Sequence, residues 1–282
     1  MARTYLITGA GSGIGKRTTE LLREQGHTVV GVDLRGAEVE ADLSTRQGRE
    51  RGAREALDAT GARVDAVIAC AGLSAPSPTT VAVNYFGVVD FLEAIRPVLA
   101  SAEAPRAVAV SSMATLHPNS SELVEAMLAG DEQRALTIAD GLAGDPQTAN
   151  QIYGSSKRAL SRWIRRESIT DMWAGAGIPL NAVAPGVVIT PMTEELRASG
   201  DGMALVDASV PMPLNYHQSA DSVANLLIWL ASEANTSTCG QTIYCDGGAE
   251  AVLRGEDAWA WADERVLAYY MEHVAPLMQR DS

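Results

Sequence analysis

The sequence has few cysteines, little positive charge and no long hydrophobic run. Three cysteines occur, Cys70, Cys239 and Cys245, and their spacing is not that of a metal site. A sparse, odd set excludes a disulfide scaffold and favours reduced, mostly buried thiols in a reducing compartment. We therefore expect a cytoplasmic protein that holds no metal ion.

Positive charge is scarce because 22 Lys and Arg residues stand against 35 Asp and Glu residues, giving a formal net charge of -13. A nucleic-acid partner needs clustered cations, so we expect none. No apolar stretch approaches the roughly 20 residues that a membrane-spanning helix requires, so we also expect no membrane partner. Residues 5–7 lead directly into a glycine-rich loop, which argues against a secretory signal.

Short apolar, β-branched runs alternate with amphipathic stretches along the chain. They predict strands at 4–8, 28–33, 64–69, 107–110, 180–184 and 242–245, and helices at 14–25, 153–173 and 221–231. Strands that are apolar along their whole length are buried on both faces, as in a parallel sheet covered by helices. The alternation predicts one α/β domain over 1–282, a Rossmann-type doubly wound parallel sheet with helices on both faces.

Three segments interrupt this pattern. Residues 118–150 form an insertion with two predicted short helices, around 123–128 and 133–139, and residues 192–217 form a predicted substrate loop. The tail 249–282 contains a last predicted helix, 256–278, whose apolar residues recur at helical spacing: Trp259, Ala262, Val266, Tyr270 and Val274.

A glycine-rich turn, TGAGSGIG at residues 8–15, lies between the first predicted strand and the first predicted helix. Gly9, Gly13 and Gly15 allow a tight turn and let the backbone approach a pyrophosphate, which the amides at the helix start then face. The spacing differs from the general G-x-G-x-x-G fingerprint, and a plain structural loop is the alternative interpretation.

Asp33 ends the second predicted strand, where a Rossmann carboxylate reads the adenosine ribose hydroxyls. A carboxylate there accepts hydrogen bonds from a free 2′-hydroxyl and repels a 2′-phosphate. Ser12 and Leu34 offer no cation to such a phosphate, so we expect NAD rather than NADP. Three cations are nearby in the sequence, and we interpret them as solvated charges: Lys16, Arg17 and Arg35.

Over roughly residues 3–248 the chain resembles the short-chain dehydrogenase/reductase superfamily. A lone Y-x-x-x-K would be common by chance, but the whole set in this order is specific. The resemblance rests on these motifs: TGAGSGIG at 8–15, Asp33, Asp42 with Leu43, Cys70-Ala71-Gly72, Asn84, Ser112, Tyr153 with Lys157, Pro185-Gly186, Thr190 and Asp246-Gly247-Gly248.

The catalytic roles follow from this resemblance and from the chemistry. A hydroxyl that takes a proton from an alcohol near neutral pH needs a lowered pKa, and free tyrosine titrates near ~10. Tyr153 and Lys157 lie at i and i+4 on one helix face, so the ammonium, with the oxidised nicotinamide, favours the phenolate. The resemblance implies that Tyr153 is the general base or acid, that Lys157 also holds the nicotinamide ribose, and that Ser112 hydrogen-bonds the substrate oxygen. Ser111 is the alternative serine.

The resemblance also implies that Asn84 holds a water in a proton relay from Lys157 to solvent, although a helix cap is the alternative interpretation. Asp42 and Leu43 resemble the pair that contacts adenine, with ordinary surface residues as the alternative. The expected cofactor-binding residues are Gly9, Ser12, Gly13, Ile14, Gly15, Asp33, Asp42, Leu43, Cys70, Ala71, Gly72, Tyr153, Lys157, Pro185, Gly186, Val188 and Thr190.

Three departures from the superfamily pattern occur together. The turn after the fourth strand reads Ala-Cys-Ala-Gly instead of being rich in asparagine, the connection 72–84 is short, and the connection 112–153 is long. The same combination is typical of the bacterial 3α-hydroxysteroid dehydrogenase/carbonyl reductase branch, which residues 70–72, 83–87 and the insertion resemble.

The sequence thus favours an NAD-dependent alcohol dehydrogenase or ketone reductase for an apolar, steroid- or terpenoid-like secondary alcohol. The alternative is a non-catalytic NAD-binding or redox-sensing protein on the same fold. An epimerase of the extended branch is disfavoured by the Asp246-Gly-Gly terminus and by the lack of a large C-terminal substrate domain. The expected substrate wall contains Met192, Leu196, Met203, Leu205, Val206, Met212 and Tyr216.

We expect a homo-oligomer whose interface is altered by the insertion. Helices around 84–100 and 153–173 commonly pair between subunits in the superfamily, and 118–150 begins and ends beside them. The apolar side chains of the insertion need cover, either on those helices or over the substrate, unless the insertion is a solvated excursion. They are Leu123, Val124, Met127, Leu128, Leu136 and Ile138.

Overall fold

A parallel β-sheet of seven strands forms the centre of the computed structural model, which describes residues 2–198, 200–214, 216–259 and 271–272. The strand order is β3-β2-β1-β4-β5-β6-β7, and every neighbouring pair is parallel. The strands are β1 (Thr4–Thr8), β2 (Thr28–Asp33), β3 (Val39–Glu40), β4 (Ala66–Ala69), β5 (Arg106–Val110), β6 (Leu180–Pro185) and β7 (Thr242–Cys245).

Helices cover both faces of this sheet. They are α1 (Gly13–Glu24), α2 (Arg46–Ala59), α3 (Pro78–Val81), α4 (Val88–Leu99), α5 (Ser121–Leu128), α6 (Glu132–Ala143), α7 (Gln151–Glu167), α8 (Pro191–Ala198), α9 (Gly200–Ser209), α10 (Ala220–Leu230) and α11 (Ala249–Arg254). One core lies between the sheet and α2, α4 and α7, and a second lies between the sheet and α1 and α10. The predicted doubly wound α/β fold is therefore confirmed.

The continuous apolar character of the strands is explained by their burial. Every residue of β4, β5 and β6 is buried, as expected for central strands of a sheet that is covered on both sides. The strand predicted at 64–69 begins only at Ala66. The preceding Asp65 accepts a hydrogen bond from the Thr4 amide at 2.8 Å through its side chain, which joins the starts of β1 and β4.

The helix predicted at 153–173 ends early, at Glu167. The Thr170 hydroxyl donates to the Glu167 carbonyl at 2.7 Å, and this local bond competes with a further helical turn. Residues 168–177 form turns instead, which bury Trp173 edge-on against Trp163 at 6.1 Å between ring centroids. The sequence predicts a helix as far as Trp173 because this residue continues the apolar spacing of the helix. Trp173 does pack on the same core, but it does so from a turn.

The insertion folds into α5 and α6, which confirms the two predicted short helices. Each begins at a side-chain cap, Ser120 for α5 and Asp131 for α6. Leu123, Val124 and Met127 are fully buried in the core that also contains α4 and α7. The insertion is therefore not a solvated excursion.

Two further expectations have a mixed outcome. The three cysteines are free thiols, but each is half-buried rather than buried. The predicted helix 256–278 lies largely outside the described residues, of which only 256–259 and 271–272 belong to it. In the described part of the chain, no helix has both the length and the apolar character needed to cross a membrane.

Candidate active site

A cavity of about 500 Å³ opens at the edge of the sheet where the parallel strands have their carboxyl ends. Ligands of doubly wound proteins bind at this edge. With the exception of Asn84, every residue predicted for catalysis or cofactor binding lines this cavity: Gly9, Ser12, Gly13, Ile14, Gly15, Asp33, Asp42, Leu43, Cys70, Ala71, Gly72, Ser112, Tyr153, Lys157, Pro185, Gly186, Val188 and Thr190.

The glycine-rich turn joins β1 to α1 and forms one wall of the cavity. Gly9 has a φ of +71° and Gly13 a φ of +51°, in the left-handed region that favours glycine. A Cβ at Gly15 would collide with the Gly9 carbonyl oxygen, so the start of α1 can lie directly on the turn only because residue 15 is glycine. The first amides of α1 have no partner within the helix, and this backbone cradle fits a pyrophosphate.

Asp33 ends β2 beside this turn. Its carboxylate accepts hydrogen bonds from the Gly11 amide at 2.9 Å and the Leu34 amide at 2.6 Å, which fixes its position in the cavity wall. Asp42 has a local role as well, since its carboxylate accepts from the Ser44 amide at 2.9 Å and from the Ser44 hydroxyl at 2.6 Å. Both carboxylates line the cavity, and Asp42 is also exposed to solvent, so its predicted contact with adenine stays a prediction.

The proposed catalytic side chains come from β5 and α7. Ser112 caps a 3₁₀ turn, Met113–Leu116, that follows β5, and its hydroxyl is near enough to Tyr153 to oppose the rise of the tyrosine pKa. The buried Lys157 lies one turn further along α7. Its Nζ donates to the Val110 carbonyl at 2.8 Å and lies 5.9 Å from the Tyr153 ring centroid. The fold therefore brings Ser112, Tyr153 and Lys157 together.

The alternative serine has a different environment. The Ser111 hydroxyl lies 2.7 Å from the Ser161 hydroxyl and donates to the Lys157 carbonyl at 3.3 Å. These bonds attach the end of β5 to α7. The geometry therefore favours Ser112, whose hydroxyl lies beside Tyr153, as the serine that meets a substrate.

Burial dominates the acid–base properties of these groups. Loss of water lowers the pKa of Lys157 to about 8 and raises the pKa of Tyr153, and the hydrogen bond from Ser112 partly offsets the effect on Tyr153. Burial also raises the pKa of Cys70 to about 12, so this thiol stays neutral. In the protein chain Lys157 is not among the causes of the Tyr153 pKa shift, and its ammonium is bonded to the Val110 carbonyl. The expected lowering of the Tyr153 pKa by Lys157 together with the oxidised nicotinamide stays a prediction.

Asn84 lies behind the cavity rather than in its wall. It belongs to a π-helical turn, Ala82–Gly87, and is fully buried. Its side chain accepts from the Leu73 amide at 2.7 Å and donates to the Leu73 carbonyl at 2.9 Å and to the Ser156 hydroxyl at 3.1 Å. Asn84 is therefore not a helix cap. A Cβ on Gly72 would lie 3.3 Å from Asn84 Oδ1 and 3.4 Å from Lys157 Nζ, so both groups border Gly72.

Comparison with known proteins identifies the family. The family model described as "Enoyl-(Acyl carrier protein) reductase" matches residues 9–250. The 3-alpha-hydroxysteroid dehydrogenase/carbonyl reductase of Comamonas testosteroni is 34% identical over 255 residues, which cover 88% of this chain and 97% of that protein. The chain belongs to the short-chain dehydrogenase/reductase family.

Other short-chain dehydrogenase/reductase members support the assignment. The crystal structure of the 3-alpha-hydroxysteroid dehydrogenase from Pseudomonas sp. B-0831 complexed with NADH matches with a TM-score of 0.82 and 37% identity, over 89% of this chain and 98% of that one. The galactitol 2-dehydrogenase (L-tagatose-forming) of Cereibacter sphaeroides is 28% identical over 86% of this chain and 92% of its own. The resemblance to the 3α-hydroxysteroid dehydrogenase/carbonyl reductase branch is confirmed.

The substrate segment of this short-chain dehydrogenase/reductase differs from the prediction. Residues 192–217 contain α8 and α9 rather than one loop, because the run from Pro191 to Ser209 is rich in helix formers. Met192 lines the main cavity. Met212 and Tyr216 instead line a second cavity of about 530 Å³, and Leu205 is largely exposed. The side chain of Leu196 lies outside the described residues.

Several cavity-lining residues were not predicted from the sequence. Leu73, Thr79 and Val83 come from the short connection after β4 and the helical turns that follow it. Single residues of these types in a short connection belong to no recognisable motif, so the sequence contains no signal that marks them as cavity-lining. The spacing of apolar residues does not predict the π-helical turn around Asn84 either.

Proposed function

We propose that the protein is an NAD-dependent alcohol dehydrogenase or ketone reductase that acts on apolar secondary alcohols and ketones. The observation that carries this proposal is the shared cavity, in which Ser112, Tyr153 and Lys157 lie together with the glycine-rich turn and Asp33. The glycine-rich turn and Asp33 supply a dinucleotide cradle, and Ser112, Tyr153 and Lys157 supply the proton-transfer group. The reaction requires both.

The chain's own residues fit a dinucleotide. The backbone of Gly13, Ile14 and Gly15 would hold the pyrophosphate, and the Asp33 carboxylate would accept from the adenosine ribose. Pro185, Gly186, Val188 and Thr190 line the same cavity, where they would contact the nicotinamide end. When bound, the dinucleotide accepts or supplies the hydride.

The substrate oxygen is held between Ser112 and Tyr153. The Ser112 hydroxyl donates a hydrogen bond to this oxygen, and Tyr153 takes the alcohol proton in oxidation or returns it in reduction. Lys157 stabilises the phenolate through its positive charge. Burial lowers the lysine pKa only to about 8, so the ammonium is still the main form at neutral pH. Asn84 holds the connection 72–84 in place beside Lys157. A proton relay leads from Lys157 to solvent.

The substrate class follows from the lining and from the relatives. Leu73, Val83 and Met192 give the cavity an apolar side, which suits a cyclic, steroid- or terpenoid-like alcohol. Two relatives are named for 3α-hydroxysteroids. A non-catalytic NAD-binding role is disfavoured because the groups for proton transfer are assembled as well as those for binding.

Turnover is tested with NAD and a panel of secondary alcohols that includes 3-hydroxysteroids and monoterpenols, followed by NADH fluorescence. We expect NADH formation with apolar cyclic alcohols. Binding of NAD without turnover of any alcohol or of the matching ketones would favour the non-catalytic alternative.

Cofactor preference depends on Asp33. We expect NAD to be preferred over NADP by at least ~2 kcal/mol, or about 30-fold in kcat/KM, because the carboxylate would meet a 2′-phosphate. The nearby Arg17 is committed elsewhere, since its Nε lies 2.8 Å from Asp221 Oδ1. Asp33→Ala should narrow the preference, whereas Glu40→Ala, which removes a carboxylate outside the cavity wall, should not. Equal kcat/KM for the two cofactors in the wild-type protein would contradict the assignment.

We further propose a homo-oligomer with an altered interface. The insertion covers α7, where the Arg162 guanidinium donates to Glu125 at 2.7 Å and Arg166 donates to the Leu128 carbonyl at 3.3 Å. Of the described insertion residues none lines the main cavity, so a substrate lid is disfavoured.

Sedimentation and cross-linking should therefore reveal an assembly whose contacts lie away from α4 and α7. A cysteine introduced at the exposed Arg165 of α7 should not cross-link two subunits. A structure with ordinary pairing of α4 and α7 between subunits, and with the insertion turned out to solvent, would refute the proposal.

A further inference from the structure

The turn that begins at Ser112 ends at His117. The Ala114 amide donates to the Ser112 hydroxyl at 3.1 Å, and the His117 amide donates to the Ala114 carbonyl at 3.1 Å. One short 3₁₀ turn therefore determines the positions of both the serine hydroxyl and the backbone of His117. A shift of His117 relative to the sheet would also shift Ser112.

The imidazole of His117 makes a contact with a distant helix. Its Nε2 lies 2.9 Å from the carbonyl oxygen of Ser209, the last residue of α9. A carbonyl oxygen only accepts, so Nε2 carries the hydrogen. The last carbonyls of a helix have no partner within it, and His117 satisfies one of them. Both residues are half-buried, which shields the bond in part from water.

The segment that His117 holds begins in the wall of the active-site cavity. It starts at Pro191, which lines the cavity together with Met192 and Thr193 directly after the predicted nicotinamide loop. It passes through α8 and α9 and ends at Ser209, on the serine turn. At Pro191 the segment is continuous with the predicted nicotinamide loop. At Ser209 it is attached to the serine turn by the bond from His117.

Beyond α9 the chain is fixed in another place. The Leu214 amide donates to the Gly247 carbonyl at 3.2 Å, and Met212 packs against Gly247, where a Cβ would lie only 2.8 Å from the methionine methyl. These contacts position residues 212–214 near the end of β7. The helix α9 itself is joined to the serine turn by the His117 bond, and to the segment that follows it by His217, whose Nε2 lies 2.7 Å from Asp207 Oδ1.

We propose that His117 is a positioning residue, which holds the C-terminal end of α9 beside the serine turn and thereby sets the preference for large over small alcohols. The proposal rests on the proposed dehydrogenase function. A small alcohol needs only Ser112 and Tyr153, whereas a large one would also contact Met192 at the start of α8, which packs against α9. Among the described residues His117 does not line the cavity, so it acts through α9 and not on the reacting atoms.

The test compares His117→Ala with His117→Gln, using a 3-hydroxysteroid as the large alcohol and cyclohexanol as the small one. One net hydrogen bond corresponds to roughly 3- to 10-fold in an equilibrium. The alanine variant should raise KM for the steroid by about that factor, with little change in kcat, in KM for cyclohexanol or in the dissociation constant of NAD. The glutamine amide can still donate to Ser209, so His117→Gln should restore the steroid KM.

A matched control is Asn119→Ala, which removes a side-chain bond to the His117 carbonyl in the same turn without touching α9. It should behave as the wild-type protein does. An unchanged steroid KM in His117→Ala, an equal rise for both alcohols, or a failure of glutamine to restore the value would overturn the proposal.

A second readout is independent of turnover. Limited proteolysis within 191–209 should be faster in His117→Ala than in the wild type, and slower again in His117→Gln. If no alcohol is oxidised by the wild-type protein, the proposed function fails, and the proteolysis result then decides whether His117 holds the segment. Equal cleavage of all three proteins would overturn the positioning role.

Discussion

Replacing Tyr153 with phenylalanine should lower kcat by roughly 10²- to 10⁴-fold, the usual contribution of a general acid or base. The substitution removes only the oxygen that transfers the proton and leaves the ring to pack in the cavity wall. The Ser112 hydroxyl keeps its hydrogen bond from the Ala114 amide. We expect the dissociation constant of NAD to change little, because the dinucleotide is held mainly by the glycine-rich turn and Asp33.

Tyr244→Phe provides the matched control for this experiment. Its hydroxyl lies 2.9 Å from the Thr115 hydroxyl, so the same chemical change removes one hydrogen bond close to the serine turn. A loss of a single neutral bond should cost at most about 10-fold. Steady-state kinetics and NAD titration of both variants distinguish the loss of the proton-transfer group from the loss of one hydrogen bond near the serine turn. Near-wild-type turnover by Tyr153→Phe would show that the proposed proton transfer is wrong.

Replacing Arg49 with methionine should lower the free energy of unfolding by roughly 2–3 kcal/mol. Arg49 is only 1% exposed and joins three helices. Its Nη2 lies 2.6 Å from Glu132 Oε2 in α6, and its Nε lies 2.8 Å from Asp90 Oδ2 in α4, an ion pair whose angle is not that of a hydrogen bond.

The free energy of unfolding should fall because the carboxylates of Asp90 and Glu132 would both lose their cationic partner. Burial raises the pKa of Asp90, and the positive charge of Arg49 opposes this effect. Methionine fills much of the volume of the arginine stem but offers no charge. Both carboxylates keep some contact with water, which places the expected loss below the 3–5 kcal/mol typical of broken buried pairs.

Arg46→Met tests the same change on the surface of the same helix. Arg46 pairs with Glu50 at 3.1 Å, and both side chains are exposed, so the loss should be less than about 1 kcal/mol. Denaturant unfolding of the two variants at one protein concentration gives the comparison. Equal losses in both would mean that Arg49 contributes no more than a surface ion pair.

The strands could be predicted because burial on both faces requires an unbroken apolar run, which few other structures share. Helix α2 was missed for the opposite reason. Its buried face consists of Gly48, Gly52, Ala53 and Ala56 together with Arg49, so it has almost no apolar periodicity. Strand β3 has only two residues, too few for any pattern.

The candidate site was predictable where backbone geometry demands a particular residue or where chemistry demands a particular group. Glycine at position 15 is required by the close approach of Gly9, and Asp33 follows from the place where β2 ends. The environment of Asn84 and the anchoring of α9 by His117 depend on contacts between distant segments. Neither leaves a local pattern, so both needed the fold.

The order of strands in the sheet has a consequence for how the chain is made. β2 joins one edge of β1 and β3 joins β2, and then β4, β5, β6 and β7 each extend the opposite edge in chain order. Every described strand after β1 thus adds to an edge that is still open when it leaves the ribosome. Domains synthesised from the N-terminus can fold progressively, and pairing with the preceding edge keeps the search short. A growing chain therefore completes its glycine-rich turn and Asp33 long before Tyr153 and Lys157 have been synthesised.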